Sequence, residues 1–286
     1  MRAIITPKIK RPFKDAIAYT VLILFGAAMC YPLIWMFFAS FKTNAEIFTK
    51  VNLFPKSYSF DAFRDGWQSV GGNTYATYFK NSFLLAAPTT FFTVVSSALV
   101  SYGFARFEFR GKKALFALLL ATLMLPNSIL IIPRYAIFRD LNTLDSYNPF
   151  YLLSLFACYP FFTYMLVQFM RGLPRELDEA AFIDGCGSFK TLTHVLLPLL
   201  KPALFSAGLL QFLWTYNDYF NSLIYINTMN NYTVSLALRN NLSNEVSVPW
   251  SHIMAMSCLV VLPVVLLFFL CQKYFVEGIA TTGLKG

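Results

Sequence analysis

Hydrophobic positions in this chain fall into long unbroken runs rather than the three-and-four spacing of a helix that faces water. Six runs can be drawn, at 16–39, 82–105, 114–133, 147–170, 203–226 and 252–272. At a rise of about 1.5 Å per residue, each can cross a hydrocarbon layer about 30 Å thick. The pattern predicts an all-α polytopic membrane protein with six transmembrane helices forming a single domain over 1–286. The third run contains Pro126 and Asn127 and leads into Pro133 and Arg134, which predicts a kinked second half. Such a kink either borders a pore or is a packing bend. No repeat relates the two halves, which argues against a self-contained carrier built from inverted repeats.

The polar stretches set orientation. Fifteen Lys and Arg residues fall on the side of the two termini: Arg2, Lys8, Lys10, Arg11 and Lys14, four in 106–113, four in 171–201 and two in the tail. The other side has eight, five of them spread along 41–80. Positive charge in short loops marks the cytoplasmic face, so both termini are expected there. The basic start resembles a signal-peptide n-region, but the run that follows is too long for an h-region and lacks an Ala-x-Ala exit. It is expected to stay as a transmembrane helix.

Composition agrees with a lipid environment: 57% of residues are hydrophobic and 13% charged, where soluble domains carry about 25% charged residues. The net charge of +9 therefore points to lipid head groups and orientation, not to nucleic acid. The five cysteines stand singly, with no metal-ligand or CxxC spacing. His194 and His252 are also solitary and read as structural residues.

One segment does not fit a membrane pattern. Residues 171–202, RGLPRELDEAAFIDGCGSFKTLTHVLLPLLKP, read as two short helices beneath the bilayer. Pro174 suits a first helical turn, where Glu176, Asp178 and Glu179 complement the helix dipole. Ala180 and Ala181 are small enough for close approach by another surface, and Gly185 and Gly187 break the helix. A second helix from Ser188 carries Phe189, Leu192, Val195 and Leu196 as an apolar stripe ending at Pro198. Such a knob is either a docking surface or an amphipathic loop lying on the bilayer, although interfacial helices are usually basic on their polar face.

The order Glu179-Ala180-Ala181, then Gly185, then Val195, Leu197 and Pro198, resembles the EAA loop of ATP-binding-cassette importer permeases, EAA-x3-G-x9-I-x-L-P, with Val195 in place of Ile. Asp184 before the glycine is similar to the sugar-permease version. The stretches LMLPNSILIIPRYAIFRDLNTLDSY, LWTYNDYFNSLIYI and YFVEGIATTGLKG resemble parts of the maltose-type permease subunit. The resemblance implies a type I importer permease fold in a bacterial cell (inner) membrane. It also implies a second homologous permease, two ATPase subunits that bind ATP and Mg, and an extracytoplasmic substrate-binding protein. No cofactor is expected on this chain, which has no Walker A motif. Glu179, Ala180, Ala181, Asp184, Gly185 and Pro198 are the expected ATPase-coupling residues, and the tail 273–286, disordered by composition alone, is implied to reach between the ATPases.

The expected substrate path is less specific. Asp218 is the one carboxylate in the six runs, and Trp214, Asn217, Asp218 and Asn221 share a helix face at i, i+3, i+4 and i+7. With Tyr216 and Asn127 they offer an aromatic surface and paired donors and acceptors, as a sugar site needs. The alternative is an interfacial aromatic belt with Asp218 tipped toward water. The transported solute is expected to be a sugar, with glycerol phosphate or a polyol as the alternative, and the outer loops 41–81 and 227–251 are expected to meet the binding protein. A membrane enzyme would need a catalytic cluster, and none is evident.

Overall fold

The computed structural model describes residues 12–49, 52–68, 72–243 and 249–283. The basic residues Arg2, Lys8, Lys10 and Arg11 and the last residues of the tail lie outside them. The described chain is helical, with an isolated bridge between Gln68 and Thr74. The order is α1 (Pro12–Ala39), α2 (Asn44–Thr49), α3 (Asp61–Gly66), α4 (Tyr75–Arg106), α5 (Lys112–Leu123), α6 (Asn127–Asp140), α7 (Asn148–Leu155) and α8 (Pro160–Arg171). Then come α9 (Glu176–Ile183), α10 (Ser188–Lys190), a π-helix (Thr191–Leu196), α11 (Leu197–Leu199), α12 (Lys201–Tyr216), α13 (Tyr219–Tyr225), α14 (Val234–Ser243) and α15 (Trp250–Gly283).

Among the described residues, four helical stretches are long and apolar enough to cross a membrane: 16–39, 75–106, 148–171 and 250–272. Two further pairs qualify if each is one broken span. Lys112–Leu123 and Asn127–Asp140 meet at 106°, and Ser188–Leu199 and Lys201–Tyr216 meet at 79°. The first bend falls where Pro126, extended at ψ 141°, cannot continue a helix.

Several boundaries differ from the sequence reading. The fifth run, drawn as one helix over 203–226, is interrupted at Asn217 and Asp218 and restarts as α13. The fourth is broken at 156–159, where Ala157 takes a positive φ of 53°. The sixth continues as helix to Gly283, so the tail expected to be disordered from composition carries on the membrane helix.

The chain forms two compact units. One comprises residues up to Gly66 together with Ser247–Leu259. Here the end of α1 carries Phe38 and Phe41 into a cluster with Phe54, Phe60 and Phe63, at ring separations of 4.9–5.6 Å. Lys42 is buried, donating to the carbonyl of Asn52 and lying 6.0 Å from the ring centre of Trp35. His252 backs Gly66, where a Cβ would come within 3.1 Å of the histidine Cβ.

The other unit is built around α4, which packs on α7, α8 and α12. Its inward face carries Ser96, Ser97, Ala98, Ser101 and Ala105, all buried. In lipid, close approach of small residues and interhelical hydrogen bonds replace the hydrophobic drive that works in water. Accordingly Ser96 donates to the Ser154 carbonyl at 2.6 Å, and Tyr151 donates to the Leu84 carbonyl at 2.6 Å.

Candidate functional site

The knob begins where α8 ends at Arg171, whose guanidinium lies 4.7 Å from the ring centre of Phe116. Three acidic residues occupy the first turn of α9, and the helix closes at Gly185 with φ of 80°. The Gly185 amide donates to Phe182 and the Cys186 amide to Ala181, at 3.0 and 2.9 Å. This paired closure around a left-handed residue is the Schellman motif. It turns the chain from α9 into α10, whose continuation widens into the π-helix before Pro198. Proline has no amide proton and crowds the preceding turn; there the Leu197 amide reaches back to the Leu192 carbonyl.

The α4 end holds the knob from above. Arg106 and Asp178 form an ion pair with Nε and Oδ2 at 3.1 Å, facing each other without a hydrogen-bond alignment, and both side chains are largely buried. Arg106 also donates to the Leu173 carbonyl at 3.2 Å, and the Tyr102 hydroxyl to that of Ser188 at 3.0 Å. Beneath them Tyr102, Ala105, Met170, Leu192, Leu196 and Leu200 form one apolar cluster. Arg106, read from sequence as an orientation charge, is therefore an internal brace; its one sequence signal is its place at the end of an apolar run.

The two alanines divide. Ala180 is exposed, but Ala181 is 5% exposed and turned into the knob, because neighbours on a helix point about 100° apart. Ala181 is thus a packing residue, a correction to the expectation that both face outward. The outward apolar surface comes instead from Ile183, Phe182 and Phe189, which are 87%, 56% and 70% exposed. Phe189 accordingly leaves the stripe it was assigned to. Glu179, Asp184 and Pro198 are exposed, and Glu179 shares a 270 Å³ pocket with Tyr102, Arg106, Phe107, Arg175, Asp178 and Phe182.

A larger cavity of 760 Å³ opens among α5, α6, α8 and α12. Four of the six expected path residues line it: Asn127, Trp214, Asp218 and Asn221. Tyr216 and Asn217 do not. Tyr216 is buried on the far side of α12, with its hydroxyl donating to the Val260 carbonyl at 3.2 Å. Asn217 turns back to the Leu213 carbonyl at 2.9 Å. The single-face reading fails because Asp218 ends α12 and caps α13, its Oδ1 accepting the Asn221 amide at 3.0 Å. A short carboxylate that can bond a nearby amide competes with helix continuation at such a position.

Polar groups run across the cavity wall as a chain. Arg134 donates to Asn127 Oδ1 at 3.1 Å, Asn127 donates to Asn221 Oδ1 at 3.3 Å, and Asn221 donates to Asp218 Oδ2 at 2.6 Å. Trp214 sits against Phe161 and Phe162, with ring centres 5.2 and 5.1 Å away. Gln211, which donates to Thr215 at 2.8 Å, keeps a buried Oε1 without a hydrogen-bond partner among the described residues. The sequence reading missed Arg134, Gln211 and Thr215 as wall residues: Arg134 enters because the 106° bend carries α6 to α13, and Gln211 and Thr215 lie on α12 within one turn of Trp214.

At the opposite end of this unit from the knob, Asp145 clasps the segment after α13. Its carboxylate accepts from the Asn227 and Thr228 amides at 2.9 and 2.8 Å and from the Thr228 hydroxyl. Burial alone raises its pKa, but these hydrogen bonds outweigh it and hold the carboxyl below the usual value. Asn81 on α4 adds donations to the carbonyls of Asn230 and Tyr232 at 2.7 and 3.0 Å.

Residues 97–281 match the family described as binding-protein-dependent transport system inner membrane component. The chain is 32% identical to a probable ABC transporter permease protein of Bacillus subtilis, covering 98% of this chain and 92% of the relative. It is 30% identical to the trehalose/maltose transport system permease protein of Thermococcus litoralis, covering 96% and 99%. A crystal structure of a bacterial ABC transporter involved in the import of the acidic polysaccharide alginate shares the fold, with a TM-score of 0.81 at 20% identity over 94% of this chain and 100% of that one. The EAA-type knob, the broken apolar spans and these matches together place this chain among the binding-protein-dependent ABC importer permeases, whose role is transport and not catalysis.

Proposed function

We propose that the cavity wall formed by α5, α6, α8 and α12 is part of the path of a saccharide, taken up through a complex of this chain, a second homologous permease, two ATPases and an extracytoplasmic binding protein. The carrying observation is the chain of Arg134, Asn127, Asn221 and Asp218 beside Trp214 in one cavity. Amides and a carboxylate supply alternating donors and acceptors for hydroxyls, and the indole supplies an apolar face for a sugar ring. A relative that bears a trehalose/maltose transport name supports the sugar class.

In this reading both termini and the knob face the cytoplasm, following the distribution of Lys and Arg. The knob seats in a partner ATPase: Phe182, Ile183 and Phe189 fill an apolar cleft, while Glu179 pairs with a basic residue there. Ala180 permits close contact, Gly185 fixes the turn, and Asp184 and Pro198 border the seat. ATP and Mg act on the partner subunits, and their closure reaches the membrane helices through a stiff joint. The Asp145 clasp faces the binding protein.

Co-expression with the partner chains tests the assembly. The expected result is a complex with two ATPases and a second permease, and uptake that requires ATP. Stable saccharide uptake by this chain alone in liposomes would sink the reading.

A further inference from the structure

The cavity wall carries one cation, Arg134, and one carboxylate, Asp218; both are hydrogen-bonded to neutral asparagines, and their hydrogen-bonding capacity is met unequally. Asp218 accepts both the backbone and the side-chain amide of Asn221. The guanidinium of Arg134 donates, among the described residues, to the carbonyl of neutral Asn127. An arginine has five N–H donors in a planar fork suited to a carboxylate, sulfonate or phosphate, and a single amide oxygen leaves most of that fork available. Around it the wall is apolar, with Leu118, Leu123, Leu130 and Phe161. In such surroundings a fixed charge acts more strongly than in water and carries an energetic cost that an opposite charge offsets.

From this we infer that the transported solute carries an anionic substituent, met by Arg134 as it passes through the cavity. The inference rests on the cavity being the saccharide path and narrows the substrate to an acidic sugar or sugar ester. One guanidinium, held by one amide, also suits passage, since a station on a path has to release its ligand as well as hold it. Trp214 and the amides of Asn127 and Asn221 then serve the neutral part of the molecule.

Native Cys158 lines the same cavity and reports its potential. The probe protein is the complete importer in membranes, with Cys30, Cys186, Cys258 and Cys271 of this chain replaced by serine. Labelling of Cys158 is timed with three methanethiosulfonates, bearing a sulfonate, a trimethylammonium or an uncharged methyl group, each divided by its rate with a free thiol. The sulfonate reagent is expected to react on the order of five- to tenfold faster than the cationic one, as one nearby charge at intermediate dielectric gives. Arg134→Gln brings the ratio to one or below, since Asp218 is then the charged group left in the wall, and Arg134→Lys keeps most of it.

A ratio near one with Arg134 present, or a preference that Arg134→Gln leaves unchanged, overturns the inference while the cavity stands. ATP hydrolysis stimulated by neutral maltose equally in the parent and in Arg134→Gln overturns it as well. If none of the three reagents reaches Cys158, the cavity is no aqueous path, and the transport reading of this wall falls with it.

Discussion

Arg106 and Asp178 are buried together where α4 meets the knob, and neither is readily replaced alone. Removing one partner of a buried ion pair leaves an uncompensated charge and costs about 3 kcal/mol. Arg106→Ala is therefore expected to loosen the knob, seen as loss of ATPase chains on purification while the chain stays in the membrane. The pair exchange Arg106→Asp with Asp178→Arg should recover part of the binding. Asp145 makes a second prediction through pH. Its folded pKa is depressed, so its contribution is complete above the unfolded value of about 3.9 and fades as pH falls through the lower folded value. Protection of 226–232 against hydrogen exchange, taken relative to the intrinsic rate at each pH, should fall below about pH 4, and Asp145→Asn should flatten that acid response.

The turn between α9 and α10 depends on Gly185 at positive φ. A Cβ there meets nothing within 4 Å, so the cost of substitution is backbone strain and not collision. Gly185→Val is expected to cost about 1–2 kcal/mol and Gly185→Asn clearly less, because Asn tolerates the left-handed region. Measured as uptake per ATP hydrolysed, the Val variant should be the more uncoupled, and equal coupling in both would show that the turn is not part of the joint. The α5–α6 break has a different origin. There Pro126 stops the helix, and a 106° bend carries Asn127 and Arg134 to the cavity.

Over the whole molecule, the polar wall and the knob lie in one packed unit centred on α4. The α4 helix braces the knob through Arg106 and Tyr102, and packs along α12, which carries Trp214. On the proposed coupling, displacement of the knob is passed on through these packed helices, which are expected to move as bodies. Trp214→Ala is expected to raise the half-saturating substrate concentration for transport several-fold with the assembly intact, since stacking of a sugar on an indole face is worth on the order of 1 kcal/mol. An unchanged value would remove Trp214 from the path.

The sequence by itself determined the membrane class, the positions of the apolar runs, the kink near Pro126 and the knob with its glycine turn. Each is a local property: hydropathy over a run, the missing amide of proline, or the φ range open to glycine. It did not determine which side chains meet. A one-helix reading put Asn217 on the face of Trp214, Asp218 and Asn221, but the helix breaks at Asn217 and Asp218 and Asn217 turns back to Leu213, while Tyr216, two residues from Trp214 on α12, faces the other way. Ala180 and Ala181 looked equivalent until packing of α9 on the π-helix selected Ala181 for the interior. Only the tertiary structure brought Asn127, with Arg134 two turns along the same helix, to Asn221, 94 residues further along the chain, because the wall is made by bends whose angles depend on what packs against them.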